Sequence, residues 1–332
     1  MEKILSGHGS GGKLMNDMID RTIRHILGPE SIQLDDSAIL DIPIDKIAFT
    51  ADSFTITPIF FPGGNIGSLA VNGTVNDLAV MGAVPKYLSC SLIIEEGMEF
   101  EELKEILQSM KKEADSAGVK IVTGDTKVVP HGKCDKIFIN TSGIGFFENK
   151  IQRREIIPGD KILINGTIGD HGMAIMGLRN NLSFTEGLKS DCAHLNHLIK
   201  EITDVFHGSI KFIRDATRGG AASVLNEIVK NKNFSAMLDE DTLPIRNEVK
   251  GISGILGIDP LYSANEGKIV IIAGKNEAEG ILNIMKKNKL GTNAAIIGEI
   301  NEILPGKAYL KTAVGGKRIL PLLIEEQLPR IC

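Results

Sequence analysis

Strand-like runs and helix-period segments alternate along the whole 332-residue chain, and several of the strand-like runs stop at aspartate or glycine. Short strands bury their apolar faces only under neighbouring helices or a second sheet, so the alternation points to mixed α and β structure in packed layers. Residues 46–51 read as a strand ending at Asp52, and 119–123 as a strand ending at Gly124-Asp125. Further strands are expected at 86–94 and 136–147. Helical spacing runs through 14–27, with Met15, Met18, Ile19, Ile23 and Ile26 in phase, and also covers 66–81 and 99–117. Pro158-Gly159-Asp160 marks a turn, and a new strand over 161–165 follows it. The second half repeats the mixture, with helices near 170–179, 190–206 and 219–231 and strands near 235–238, 268–273 and 294–299. The expected organisation is an N-terminal domain over 1–150 and a C-terminal domain over 151–322, each with α+β or α/β packing, and a mobile tail over 323–332, since Pro329 blocks a helix there.

Composition excludes several classes of function. A formal net charge of -5 gives no electrostatic footprint for nucleic acid. No apolar run approaches the ~18 residues that span a bilayer, and the first residues lack the apolar core of a signal peptide. Cys90, Cys134, Cys192 and Cys332 are scattered without a CxxC, so neither a disulfide framework nor a zinc site is expected, and a reducing cytoplasm fits.

The chemistry-bearing residues sit in turns, at strand ends and beside glycines. Ser6-Gly7-His8-Gly9-Ser10-Gly11-Gly12-Lys13 offers backbone N–H groups to a phosphate at the start of a helix. Leu14 stands where a P-loop places its magnesium-binding hydroxyl, which argues against a true P-loop. Asp35-Asp36, Asp52, Asp77, Asp125 and Asp215 come from separate segments. Magnesium takes one or two carboxylates plus phosphate oxygens, so such a set suits an Mg–ATP site. On the helix over 66–81, Asn72 pairs with Asn76 and Gly73 with Asp77 at i,i+4 spacing, and small amides with one carboxylate suit a close-packed polar site. Gly124-Asp125-Thr126-Lys127 groups an acid, a hydroxyl and a base. Arg214 to Gly220 offers a second phosphate contact through Arg218 and Gly219. Read alone, Asn265-Glu266-Gly267-Lys268 is an ordinary turn, His194 and His197 lack a third metal ligand, and His171 is ambiguous. The chain ends on a thiol, Cys332, which a swinging tail can carry to a distant pocket.

Assembled, these motifs resemble the HypE family of hydrogenase maturation factors, within the superfamily of aminoimidazole-ribonucleotide synthetase and selenophosphate synthetase. The resemblance spans essentially the whole chain. It is carried by the glycine loop 6–13, Asp35-Asp36, Thr50 to Ser53, Phe60 to Gly67, Asn72 to Ala83, Val122 to Val129, Gly169 to Gly172, Asp215 to Gly220, Asn265 to Lys268 and the terminal Pro329-Arg330-Ile331-Cys332. It implies a fold of α/β plus α+β domains, with N-terminal sheets pairing in a homodimer and ATP near that interface. It also implies a carbamoyltransferase, HypF, that loads Cys332, dehydration of the resulting thiocarboxamide to a thiocyanate with ATP, and a HypC–HypD iron scaffold complex that accepts the cyanide. His8, Gly9, Gly11, Gly12, Asn72, Thr126, Arg218 and Gly219 are the expected nucleotide contacts. Asp36, Asp52, Asp77, Asp125 and Asp215 are the expected magnesium ligands, and Lys127 and Glu266 the candidates for proton removal and charge stabilisation beside Cys332. Two rival readings remain at this point. A small-molecule kinase of the superfamily shares the ATP site and has no need of Cys332, and a metallocentre scaffold has no need of ATP.

Overall fold

The computed structural model describes residues 12–18, 38–41, 46–148, 154–182, 187–324, 327, 328 and 330–332. His8, Gly9, Gly11 and Asp36, with the rest of the loop before Gly12, lie outside the described residues. In chain order the elements of the first half are α1 (Lys13–Met18), β1 (Ala38–Asp41), β2 (Lys46–Phe54), β3 (Phe60–Phe61), β4 (Gly64–Asn65), α2 (Ile66–Val80), β5 (Val84–Glu95), α3 (Phe100–Ala117), β6 (Lys120–Val129) and β7 (Ile137–Phe146). The second half has β8 (Lys161–Ile164), α4 (Asp170–Arg179), α5 (Asn196–Phe206), β9 (Ile210–Asp215), α6 (Gly220–Val229), β10 (Ser235–Asp239), α7 (Asn247–Leu256) and β11 (Ile269–Ala273). It closes with α8 (Ala278–Lys287), β12 (Ala295–Asn301), β13 (Ala308–Lys311) and β14 (Lys317–Leu320).

Two sheets organise these elements. The first has the order β1-β2-β7-β5-β6, antiparallel except for the parallel pair β5–β6. The second has the order β14-β13-β10-β12-β8-β11-β9, antiparallel except for β10–β13. Strand periodicity decides what each sheet shows the core. In β7, Ile137, Ile139 and Thr141 are buried at every second position while their neighbours are only half-buried. β11 is buried on both faces, as its Ile-Val-Ile-Ile-Ala run suggests.

Helix α2 joins the two halves. Asn65 caps it, accepting from the N–H groups of Gly67 and Ser68, while the Ser68 hydroxyl accepts from the Asn65 N–H. Its apolar residues Leu69, Ala70, Val71 and Val75 pack under the first sheet with Ile106 and Met110 of α3. Gly67 permits that approach, because a Cβ there would lie 2.4 Å from the Ile106 carbonyl oxygen. The far end of α2, through Ala79 and Val80, packs instead with Leu195, Leu198 and Ile213 of the second half. A helix used on all sides carries no solvated charged face, which is why α2 reads as small, apolar and amide-rich.

Strand β6 departs from the sequence expectation. It runs on through Gly124, Asp125, Thr126 and Lys127, and nearly all of its residues are exposed. Gly124 lets β6 lie close against β5, since a Cβ there would fall 2.0 Å from the Cys90 carbonyl oxygen.

Because the α2 cap bonds two helix N–H groups and Asn65 also donates to the Ser109 hydroxyl at 2.7 Å, Asn65→Ala is expected to cost about 1–2 kcal/mol. Urea unfolding followed by circular dichroism checks this, as a lowered midpoint with an unchanged slope.

Candidate active site

A cavity of about 500 Å³ opens between the two halves. One wall is the face of β2 turned toward α2. Alternation along β2 directs Thr50 and Asp52 to that side, where Thr50 Oγ1 donates to Asp77 Oδ2 at 2.9 Å and Thr74 Oγ1 to Asp52 Oδ2 at 2.7 Å. Asp77 and Gly73 of α2 complete the wall. The opposite wall comes from the end of β9 with Asp215, from Thr217 and Arg218 beyond it, and from Glu266 before β11. Gly219 and Gly220 have φ of +73° and +59°, and this tight left-handed turn starts α6 and presents Arg218 to the cavity.

The electrostatics are those of crowded acids around one guanidinium. Burial raises the proton affinity of Asp52 against the pull of hydrogen bonds from Thr74 and Asp77 and the charge of Arg218. Burial also holds the Glu266 carboxyl well above the usual carboxylate range, and the negative charges of Asp215 and Asp191 add to it while Arg218 opposes them. Glu266 is 3% exposed, and its Oε1 has no hydrogen-bond partner among the described residues. The Oδ1 of Asn72 is likewise buried without one, while its Nδ2 donates to Cys192 Sγ at 3.5 Å. Arg218 is held more firmly protonated by negative charge at Cys332, opposed by its burial and reinforced by Asp52, Glu266 and Asp77.

The chain end lies in this cavity. The expected mobile tail is docked, because residues that look too few to form a core element are individually well packed. Leu328 and Ile331 are buried in the same apolar cluster as α2 and β7. A main-chain carboxylate oxygen of Cys332 accepts from the Thr55 N–H at 3.1 Å, and the Ile331 carbonyl from His171 Nε2 at 2.8 Å. A carbonyl only accepts, so Nε2 carries the proton and Nδ1 accepts from the Ser190 hydroxyl at 2.7 Å. Burial lowers the His171 proton affinity, in keeping with this neutral form. Arg179 donates to the Arg330 carbonyl at 2.6 Å. Arg330 donates to the Thr55 carbonyl, pairs with Asp135 and lies over the Phe138 ring. The sequence pattern gave no signal for Thr55 or Arg179, and His171 was ambiguous, because these contacts link residues more than 100 positions apart.

The structure thus brings together Asp52, Asp77, Asp215, Arg218, Glu266 and Cys332, with Gly219 beside them and Asn72 buried nearby on α2. It does not bring Asp125, Thr126 and Lys127 to the same cavity. Asp52 lies opposite Thr141, Thr141 opposite Cys90, and Cys90 opposite Gly124. That places β6 three strands from β2, about 14 Å at usual strand spacing. There Asp125 is held below the usual range chiefly by its hydrogen bond from Lys127, and both side chains are exposed. Gly12 lies against the root of the tail, with a Cβ there 2.6 Å from the Leu323 carbonyl oxygen. His194 bonds Asn196 and the Ser116 hydroxyl, and His197 the Ser116 carbonyl. Among the described residues no three His, Cys, Asp or Glu side chains form a metal cage on their own. The cavity acids are hard oxygen donors, and together with phosphate oxygens they fit a magnesium ion, which needs only one or two carboxylates.

Comparison with known proteins bears on this arrangement. Residues 34–147 match the AIR synthase related protein N-terminal domain, and residues 158–304 the corresponding C-terminal domain. The chain is 43% identical over 337 residues to carbamoyl dehydratase HypE of Rhodobacter capsulatus, covering 100% of this chain and 98% of that protein. It is 44% identical over 340 residues to carbamoyl dehydratase HypE of Escherichia coli, covering 100% of both. Among solved structures it resembles the HypE–HypF complex, with a TM-score of 0.84 and 44% identity over 92% of this chain and 99% of that one. It also resembles HypE in complex with ATP, with a TM-score of 0.82 and 43% identity over 99% and 100%. A thiamine-monophosphate kinase from Aquifex aeolicus, at 18% identity and a TM-score of 0.67 over 92% and 99%, shares the fold.

Removing the imidazole donor should loosen the docked end. His171→Ala is expected to speed alkylation of Cys332 about fivefold, the equivalent of one lost hydrogen bond of ~1 kcal/mol. Peptide mapping after timed iodoacetamide treatment measures it, and an unchanged rate at Cys332 would show that the contact does not hold the tail.

Proposed function

This chain belongs to the AIR synthase related family and, within it, to the HypE carbamoyl dehydratases, and we propose that it dehydrates a carbamoyl group carried on its own Cys332. The product is a thiocyanate, the source of a cyanide ligand for a nickel–iron hydrogenase. The observation that carries the proposal is the seat of Cys332 in the acid-lined cavity, beside Arg218 and Glu266.

The chemistry follows from the leaving group. An amide oxygen leaves poorly, and phosphate leaves well. Attack of the carbamoyl oxygen on the γ-phosphorus of ATP releases ADP and gives an O-phosphorylated imidate. One N–H proton leaves as that imidate forms and the second leaves with phosphate to give S–C≡N, so the sum is thiocarboxamide plus ATP to thiocyanate, ADP and phosphate. Glu266 takes an N–H proton in this reading. Its buried carboxyl has raised proton affinity, and one of its oxygens has no partner among the described residues, which suits it to accept a proton from the substrate nitrogen. Arg218 balances the charge of the transferred phosphoryl group. Seating of the end by Thr55 and His171 aligns the carbamoyl group and excludes water from its sulfur side.

Magnesium, when bound, neutralises phosphate charge, and Asp52, Asp77 and Asp215 would hold it, with Asp36 and Asp125 as further ligands in the complete site. His8, Gly9, Gly11, Gly12, Asn72, Thr126 and Gly219 are the proposed nucleotide contacts. The distance of Thr126, Asp125 and Lys127 from the cavity fits a homodimer in which the exposed β6 edge, with Ile121, Val122 and Val128 uncovered, meets a second copy. In that assembly the three residues serve the neighbouring cavity, Lys127 as a charge-stabilising group. HypF is the proposed loading partner, the HypC–HypD complex the acceptor, and the cytoplasm the compartment. The working division is an N-terminal domain over 1–150, a C-terminal domain over 151–322 and the carrier segment 323–332.

Mass spectrometry of the loaded protein tests the reading. Carbamoylated protein given ATP and magnesium should lose the mass of one water at the terminal peptide. A chelator should stop the loss, and Cys332→Ala should accept no carbamoyl group. Glu266→Gln should load normally and dehydrate at least about 100-fold more slowly, the scale of a lost general base. Loading of the Ala variant, or water loss without ATP, contradicts the proposal.

A further inference from the structure

The segment Ser190-Asp191-Cys192 lines neither wall, yet it bonds Glu266 directly and reaches the docked tail through His171. Asp191 Oδ1 accepts from the Glu266 N–H at 2.9 Å, and its Oδ2 accepts from Lys268 Nζ at 2.8 Å. The Asp191 side chain is 3% exposed, and that of Lys268 10%. The Ala193 N–H returns a bond to the Glu266 carbonyl at 3.3 Å. Packing is tight here, since a Cβ on Gly267 would lie 1.9 Å from the Asp191 carbonyl oxygen. One residue earlier, the Ser190 hydroxyl fixes the His171 ring that holds Ile331, and the Ser190 N–H bonds the Pro62 carbonyl at 2.8 Å.

We infer that Asp191 is a positioning residue for the dehydration, acting through Glu266, and that its short segment sets the place of Glu266 relative to Cys332. This inference rests on the reading of Glu266 as the proton acceptor. The geometry is specific. The Glu266 N–H is gripped by a carboxylate that has its own second oxygen engaged by Lys268, so the acceptor oxygen has little freedom to turn away. The neighbouring Ser190 applies the same device to the tail, through His171. Both partners of the reaction are therefore indexed to the adjacent residues Ser190 and Asp191, and Ser190 is itself anchored to the first half of the chain at Pro62. A carboxylate base must stand within hydrogen-bond reach of its proton, and a displacement of about 1 Å costs as much as 100-fold in rate.

Single-turnover dehydration of the carbamoylated full-length protein, followed by the mass of the terminal peptide over a range of ATP concentrations, separates the outcomes. Asp191→Ala is expected to lower the rate at saturating ATP about 100-fold with the KM for ATP within about twofold of wild type. Asp191→Glu keeps the charge and shifts the acceptor by one methylene, and is expected to lose about tenfold or more in rate. The double variant Asp191→Asn, Lys268→Met keeps one acceptor oxygen and removes both charges. It should recover to within about fivefold of wild type even where thermal stability falls. Wild-type rates in Asp191→Ala, or in Asp191→Glu should the Ala variant fail to fold, overturn the inference. So does a double variant as slow as Asp191→Glu. If Glu266→Gln dehydrates at the wild-type rate, the proton-acceptor reading fails instead. An inactive Glu266→Gln beside unaffected Asp191 variants removes the inference alone.

Discussion

The main-chain oxygens of the last two residues are held from outside the tail, the Ile331 carbonyl by the buried imidazole of His171 and the Cys332 carboxylate by the backbone N–H of Thr55. These bonds act on the main chain, so they fix where the end lies without engaging the thiol. Leu328 and Ile331 supply the apolar anchor, and the Arg330 side chain ties the same stretch to Thr55 and Asp135. A terminus usually frays because few contacts offset its conformational entropy. Here the contacts are concentrated in a few residues, each of individually modest strength, which is what a carrier that must also leave its seat requires.

Around that seat the charge distribution makes chemical sense only as a pair of opposites. Asp52, Asp77, Asp215 and Glu266 crowd one cavity, and burial raises the proton affinity of Asp52 and Glu266. Arg218 is the counter-charge, held protonated by the terminal residue and by those acids. Such a site disfavours an isolated anion and becomes hospitable to a triphosphate once cations accompany it. In the proposed reaction a bound metal would therefore answer the electrostatics of the cavity as well as those of the phosphoryl transfer.

Much of this was legible in the sequence, for reasons that differ from residue to residue. The amide-rich face of α2 announced itself because a solvated helix face carries Lys and Glu, as α3 does. The strand end at Asp52 and the Arg218-Gly219-Gly220 turn were visible as local chemistry. Glu266 was not legible locally. Its tetrapeptide reads as a turn, and its burial and its backbone bonds to Asp191 and Ala193 arise only in the folded chain. Gly124 to Lys127 misled in the opposite way, because glycine and aspartate signal a strand end while here the glycine serves close β5–β6 pairing inside β6. The helices α7 and α8 and the strands β1, β9, β13 and β14 are not among the expected elements, and the strands, of four to six residues, carry too little periodicity to register. Thr55 bonds a residue 277 positions away and Asp191 residues 75 and 77 positions away, and no local pattern encodes such contacts.

In the proposed mechanism the carbamoyl oxygen on Cys332 is the atom that attacks ATP in this cavity. Loading Cys332 with carbamoyl bearing oxygen-18, adding ATP and magnesium for one turnover, and weighing the released phosphate by mass spectrometry tests it at the atom concerned. The account predicts that the label appears in inorganic phosphate, one labelled oxygen for each thiocyanate formed. Thiocyanate formed with unlabelled phosphate would contradict it, because the oxygen would then have left by a route that never touched the γ-phosphorus.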